Sequence, residues 1–287
     1  IKSTTGVDLT SAQKTNLETA LAPYKVASIT PVVVDAETTS LILGITIMYD
    51  SSSTTYTASQ IASLVSTTVS NYSDTSLGTF NSPFRHSRLL GLIDNTDTSI
   101  LNSVATVTLA KLFTPTLSTA TDYRINFNNK FYNPVSGYNS VDGGIIASTG
   151  FYLGSVTTTT YFFDDDGSGN LRIYSLVAGV RTYTNNTAGT IDYINGLITI
   201  NQITMTGVAE VDGTTSTQIR ITAIPNSYDI TPVRNQILEI DLVNTNVTAS
   251  VDAISSTGVG FSTTTTSAGT TTTTVSSVSS NPSSSAY

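Results

Sequence analysis

Ser and Thr together make up roughly a third of this chain, far above ordinary usage, while charged residues make up only 11% of it. That pairing constrains what the chain can become. Thr is β-branched and its methyl packs on a pleated sheet, so a Thr-rich chain leans toward strands. The formal net charge of −8 argues against a nucleic-acid surface, which carries clustered Lys and Arg. Cysteine is absent, which removes disulfide frameworks, zinc fingers, iron–sulfur clusters and thiol nucleophiles and leaves the redox compartment undetermined. No apolar run reaches the roughly 18–20 residues needed to span a bilayer; the longest, around Leu41–Tyr49, reads as a buried strand. Neither nucleic acid nor membrane is an expected partner.

The 287 residues suffice for two domains, or for one large β-rich domain with a smaller companion. A chain this long buries about three quarters of the surface it exposes when unfolded, so it needs no staples. There is no charged-then-apolar leader, and the chain begins at Ile1 rather than Met. The expectation is a fragment or a processed product, with an N-terminal part missing.

The spacing predicts a helix over 8–23, capped by Asp8 or Thr10 and stopped by Pro23. Two strands follow, Val26–Asp35 and Leu41–Asp50, joined by a polar turn at Glu37–Ser40. A second helix fits Thr57–Asn71, capped by Thr57 or Ser59, with Ile61, Leu64, Val65 and Thr68 as its stripe. Arg85–Ile93 reads as a short third helix with Leu89, Leu90 and Ile93 inward. Leu101–Phe113 alternates as a long strand. The expected order is α-β-β-α-α-β, an α+β unit over 1–115.

From Pro115 onward the pattern changes. Short strands are punctuated by turn signals at Asn128-Asn129, Asn133-Pro134, Asp142-Gly143-Gly144, Asp166-Gly167, Asn195-Gly196 and Asp212-Gly213, the signature of a mainly antiparallel β domain over 116–255. Asn195-Gly196, between Ile191–Ile194 and Leu197–Ile200, predicts a two-residue type I′ hairpin. Residues 216–224 predict a further strand closed by Pro225. The remainder, 256–287, is a Ser/Thr-rich tail. It cannot bury enough apolar surface to offset its own ordering, so it is expected to be flexible or a strap ordered against a neighbour.

Chemistry is hard to find. The only histidine, His86, lies between Arg85 and Arg88, and no nucleophile-elbow pattern surrounds any serine. It reads as a helix-start residue at a surface or contact. Asp164-Asp165-Asp166-Gly167-Ser168-Gly169-Asn170 begins like a calcium loop, with candidate donors Asp164, Asp166, Ser168 and Asn170. Position 12 is Ser175 rather than Glu, and the flanks read as strands, so an acidic hairpin tip is the plainer reading. A glycosidase carboxylate pair lacks opposed geometry there. Gly143-Gly144 has neither the Lys of a P-loop nor a dinucleotide spacing. No catalytic residue and no cofactor is expected. The tyrosines are scattered and suit core or interface contacts.

Two stretches carry a resemblance. The first runs from Tyr56-Thr57-Ala58-Ser59-Gln60 through Phe80-Asn81-Ser82-Pro83-Phe84-Arg85-His86-Ser87-Arg88-Leu89-Leu90-Gly91-Leu92-Ile93-Asp94. The second is Gly189-Thr190-Ile191-Asp192-Tyr193-Ile194-Asn195-Gly196-Leu197-Ile198-Thr199-Ile200, continued by Pro225-Asn226-Ser227-Tyr228-Asp229-Ile230 and Arg234-Asn235-Gln236-Ile237-Leu238. Together they resemble the baseplate wedge proteins of T4-like contractile-tailed phages, related to the baseplate J-like family. The resemblance implies the C-terminal half of a larger, non-enzymatic subunit of the virion tail baseplate. Such a subunit would pair with itself, join other wedge and hub proteins, and belong to a six-fold ring that rearranges when the sheath contracts. Contacts are expected at Phe80, Phe84, Arg85, Arg88, Arg234 and Asn235, since aromatic and Arg residues are favoured anchors. Phe80 and Phe84 read equally well as core. The alternative is a receptor- or carbohydrate-binding adhesin module, which predicts an exposed aromatic groove. An enzyme would have to use His86 or the Asp164–Asp166 cluster.

Overall fold

The computed structural model describes residues 9–26, 29–138, 144–154, 158–210 and 214–252, and the backbone of 261–267 and 270–276. It has the mixed α+β class expected, with antiparallel sheet dominant. The first helix, α1, spans Ser11–Leu21 and continues as a 3-10 turn, Ala22–Tyr24. Strand β1 is Glu37–Tyr49, helix α2 is Ala58–Ser76, helix α3 is His86–Asp94, and strand β2 is Ile100–Phe113.

Local sequence explains these elements. Thr10 and Thr57 each form a capping box with a Gln three residues on, Gln13 and Gln60. Each pair satisfies two backbone donors that a helix start leaves unpaired. Leu41, Leu43, Ile45 and Ile47 alternate along β1 and are fully buried. Above that face, α2 lies over the strand at Asn246–Val251 and α3 lies over β2. The helices contribute Ile61, Val65, Val69, Leu89 and Ile93, all fully enclosed. Burying each such side chain stabilises the fold by about 1.5–3 kcal/mol. No described helix is long and apolar enough to cross a membrane.

Nine of the remaining strands of the main sheet are β3 (Thr121–Asn126), β4 (Ile146–Ser148), β5 (Phe151–Leu153), β6 (Tyr161–Asp165), β7 (Asn170–Val177), β8 (Val180–Asp192), β9 (Leu197–Ile203), β10 (Met205–Val208) and β11 (Ile219–Ala223). To these are added β12 (Gln236–Ile240) and β13 (Asn246–Val251), which both pair with β1 in parallel. The other ladders between strands are antiparallel. The sheet runs β12-β1-β2-β11-β4-β6-β7-β8-β9-β3 and is hydrogen-bonded across residue 115, through β11 on β2 and through β12 and β13 on β1.

Three local expectations are corrected. Val26–Asp35 is not a strand: its described residues, 26 and 29–35, have no regular secondary structure. Pro31 lacks a ladder donor, and the segment is instead tied to α1. Val33 N–H donates to Glu18 Oε1 at 2.8 Å, and Lys14 pairs with Asp35. The element order is therefore α-β-α-α-β. The expected turn at Glu37–Ser40 is the start of β1, because β12 supplies a parallel partner there, Glu37 opposite Gln236. Asn195-Gly196 closes a four-residue turn, since the β8–β9 ladder ends at Asp192 opposite Leu197. Gly196 has φ +67° but Asn195 does not have positive φ, so the turn is not type I′. The Asp192 carboxylate organises it by accepting from Ile194 N, Asn195 N and Asn195 Nδ2.

The turn signals at Asp142-Gly143 and Asp212-Gly213, and the Asp8 cap, lie outside the described residues. Within the Ser/Thr tail, β14 (Phe261–Ser267) and β15 (Thr270–Ser276) pair as an antiparallel hairpin. A run of β-branched threonines favours that extended backbone.

Candidate interaction surface

The link from α2 to α3 carries Phe80, Phe84 and Arg85 of the expected contact residues, and Arg88 follows in the first turn of α3. Asn81 adopts φ 62°, turning the chain so that Phe80 stays at the surface while Phe84 goes inward. Phe84 is fully buried and meets Tyr72 edge-on at 6.0 Å. It is therefore a core residue with no face to offer a partner, which corrects its expected role as a contact. Phe80 is 40% exposed. Arg85 and Arg88 are exposed, Arg88 lying 5.9 Å from the centre of the Tyr72 ring.

Helix α3 has no side-chain cap of its own. Asp229 supplies one from far along the chain: its Oδ1 accepts His86 N–H at 2.9 Å. A carboxylate at a helix start also complements the helix dipole. Asp229 Oδ2 faces Arg85 at 3.6 Å. Next to it, Phe84 and Ile230 exchange both backbone hydrogen bonds, at 2.9 and 3.1 Å. The two stretches singled out in the sequence thus meet in space, around Phe84–His86 and Tyr228–Ile230.

His86 is committed to structure. Its Nε2–H donates to the Ala105 carbonyl at 2.8 Å, and its ring packs on Tyr228 at 5.1 Å. A carbonyl can only accept, so Nε2 carries the proton. Arg234 and Asn235 lie elsewhere, exposed in the loop before β12. There the Asn235 carbonyl accepts Glu37 N–H at 3.1 Å and anchors the start of β1.

The acidic hairpin departs from the calcium-loop reading. Asp164 is 1% exposed within β6. Its Oδ1 accepts from Arg172 Nε at 2.9 Å, and its Oδ2 accepts from Arg181 and from Tyr183 Oη at 2.9 and 2.8 Å. Two guanidinium groups at that carboxylate repel a cation. Asp166 instead makes a turn, accepting from Ser168 N, Asn170 N and Asn170 Nδ2. Hence Asp164, Asp166, Ser168 and Asn170 do not converge on one point. Among the described residues no group of three or more His, Asp or Glu could hold a metal ion.

Burial pushes the Asp164 carboxyl above its usual range, against the opposing hydrogen bonds of Arg172 and Tyr183 and the charges of both arginines. Burial works on Asp166 too, but hydrogen bonds from Asn170 and Ser168 outweigh it and hold that carboxyl low. Asp165 accepts from Ile146 N and Tyr193 Oη; burial and that carboxylate push the Tyr193 phenol up. Arg172 stacks over Tyr183 at 4.2 Å and Arg181 over Tyr174 at 4.7 Å. Sequence reading missed Arg172, Arg181, Tyr183 and Tyr193. The available signal was the hairpin at Asp166-Gly167, which sets Asp164 opposite Arg172.

Residues 41–112, about a quarter of the chain, match the family model described as Baseplate structural protein gp6, C-terminal domain III. The match covers β1 from Leu41 onward, α2, α3 and nearly all of β2. It supports a structural component of a phage baseplate, located in the virion tail baseplate and interacting with other baseplate proteins. It also suggests a role other than catalysis. No curated protein matches the chain.

Proposed function

We propose that this chain is a wedge subunit of a contractile-tail baseplate. It associates with itself and with other wedge proteins in a six-fold ring around the hub, and that ring rearranges when the sheath contracts. It does no catalysis. The observation that carries this reading is the baseplate match across the β1–α2–α3–β2 unit. A rigid helix-on-sheet layer suits a part that transmits force, because packed interfaces shift as bodies rather than deform. Contacts are assigned to Phe80, Arg85 and Arg88 beside α3, and to Arg234 and Asn235 beside β1. Electron microscopy of the intact particle tests it: this fold repeated in a six-fold ring around the hub is expected. The same density in a peripheral fibre would overturn it.

A second reading, a receptor- or carbohydrate-binding module, draws on one observation. Tyr132 and Tyr138 meet edge-on at 5.7 Å and are both exposed. Asn133, beside them in the chain, lines a groove of about 490 Å³ together with Lys130, Ser168 and Asp192. Glycan-array binding lost in the Tyr132→Ala and Tyr138→Ala variants would favour it over the wedge.

A further inference from the structure

Asn195-Gly196 is the only Asn-Gly pair in the chain, and the pair carries a chemistry of its own. Asparagine is thermolabile. A following glycine, with no side chain in the way, leaves the Asn carboxamide open to attack by the next backbone nitrogen. The Gly196 nitrogen loses its proton to solvent base and bonds to Asn195 Cγ. The Cγ–Nδ2 bond breaks, and the departing nitrogen takes a proton from water and leaves as ammonia. Water then opens the cyclic succinimide at either carbonyl, giving aspartate or isoaspartate at 195.

The fold requires this glycine. Gly196 has φ +67°, and a Cβ there would stand 2.0 Å from the Asn129 carbonyl oxygen. Its own carbonyl accepts Phe127 N–H at 2.8 Å, while Phe131 N–H donates to the Tyr193 carbonyl at 2.8 Å. The turn is thus fastened on both sides to the segment 127–131, and the labile pair is built into it.

The same turn obstructs the reaction. Gly196 is buried, and its N–H donates to the Asp192 carbonyl at 2.8 Å. A hydrogen-bonded amide gives up its proton to solvent base only after the structure around it opens. The Asn195 carboxamide is exposed but turned back: Nδ2 donates to Asp192 Oδ2 at 2.6 Å, and Asn195 N–H donates to Oδ1 at 3.0 Å. These bonds hold the Asp192 carboxyl low. It is therefore ionised at neutral pH and a strong acceptor.

We propose that Asn195 is a deamidation site that folding keeps shut, with Asp192 as the residue that holds it, and that the site reacts once the β8–β9 turn opens. Refolding does not undo the change. Either product lacks the Nδ2 donor. Aspartate sets a second carboxylate against Asp192, where like charges repel. Isoaspartate carries the main chain through its side-chain carbon and lengthens a turn that is fixed on both sides. Chains that linger unfolded are thereby marked, and folded chains are spared.

Incubating the full chain in neutral buffer, folded and in guanidinium chloride, tests this. Conversion at 195 is scored by mass spectrometry, with isoaspartate located by isoaspartyl methyltransferase labelling. The unfolded chain should convert while the folded chain stays intact, and in graded denaturant the rate should follow the opened population. Folded Asp192→Ala should convert at least about tenfold faster than the parent, the factor that hydrogen bonds to a charged group supply. Should that variant not fold, Asp192→Asn takes its place: it keeps the shape, loses the charge and should also convert faster. Converted parent should refold poorly on dilution, whereas Asn195→Ala given the same treatment should refold like fresh chain. Equal conversion of folded and unfolded parent overturns the proposal. So does a folded Asp192 variant that converts at the parent's rate. Full refolding of the converted parent overturns the irreversibility.

Discussion

Phe84 and Ile230 bind each other through two backbone hydrogen bonds, and so fasten the entry to α3 onto the loop before β12. The Phe84 ring is fully enclosed at this junction, whereas Phe80, four residues earlier, reaches solvent. Phe84→Ala should therefore cost about 3–5 kcal/mol by leaving a cavity. Phe80→Ala should stay within about 0.5 kcal/mol, as surface changes usually do. Urea unfolding of the two variants checks the contrast; equal losses would contradict the placement of Phe80.

Arg85 and Arg88 are exposed, and the Arg85–Asp229 pair is long and half-exposed. Such a pair contributes about 0–1 kcal/mol. The Arg85→Ala, Arg88→Ala double variant should melt close to the parent and yet fail to enter baseplates. Normal incorporation, scored by particle assembly in vitro, would remove these residues from the interface.

The Asp164–Arg172 pair is buried, with side-chain exposures of 2% and 7%. Removing one member leaves a charge with reduced compensation, so Arg172→Ala should destabilise by about 3–5 kcal/mol. Calcium at millimolar concentration should leave the melting temperature of the parent unchanged, because Asp164 already faces two guanidinium groups. A calcium-dependent rise in melting temperature that Asp166→Asn abolishes would restore the metal-loop reading.

The two acids of this hairpin respond to pH with opposite sign. Asp166 is held below its ordinary value. Its contribution is therefore present above that value and is lost as pH falls through the depressed pKa. Asp164 is raised. Its contribution is present below the ordinary value and is lost as pH rises through the raised one. Asp50, Asp97 and Asp192 are also held low, chiefly by side-chain hydrogen bonds from Ser53, Ser99 and Asn195. Stability should fall on acidification below about pH 4, the ordinary carboxylate range. Asp166→Asn should flatten that fall, as measured by thermal unfolding across pH 2–6. An unchanged slope would mean that the Asp166 turn is not coupled to folding.

Much of this architecture is written in short-range pattern. The Thr57–Gln60 cap, the alternation of Leu41 through Ile47 and the position of α3 depend on residues a few places apart, and local propensity and periodicity suffice to read them. The Thr-rich composition likewise leads to a sheet-dominated chain. What pairs with what is another matter. Parallel pairing of β12 with Glu37–Leu41 turned an expected loop into strand. The want of any such partner left the β-branched segment around Val32 without a ladder. Asp164 read as a hairpin-tip acid until Arg181 and Tyr183, on a later strand, enclosed it. Phe80 and Phe84 look alike in the chain, and the turn at Asn81 together with the packing of Tyr72 and the approach of Ile230 divides them into surface and core. Local sequence biases each backbone unit toward helix, strand or turn. Hydrogen-bond partners and burial depend on distant segments meeting, and a side chain acquires its environment, and with it its role, only when they do.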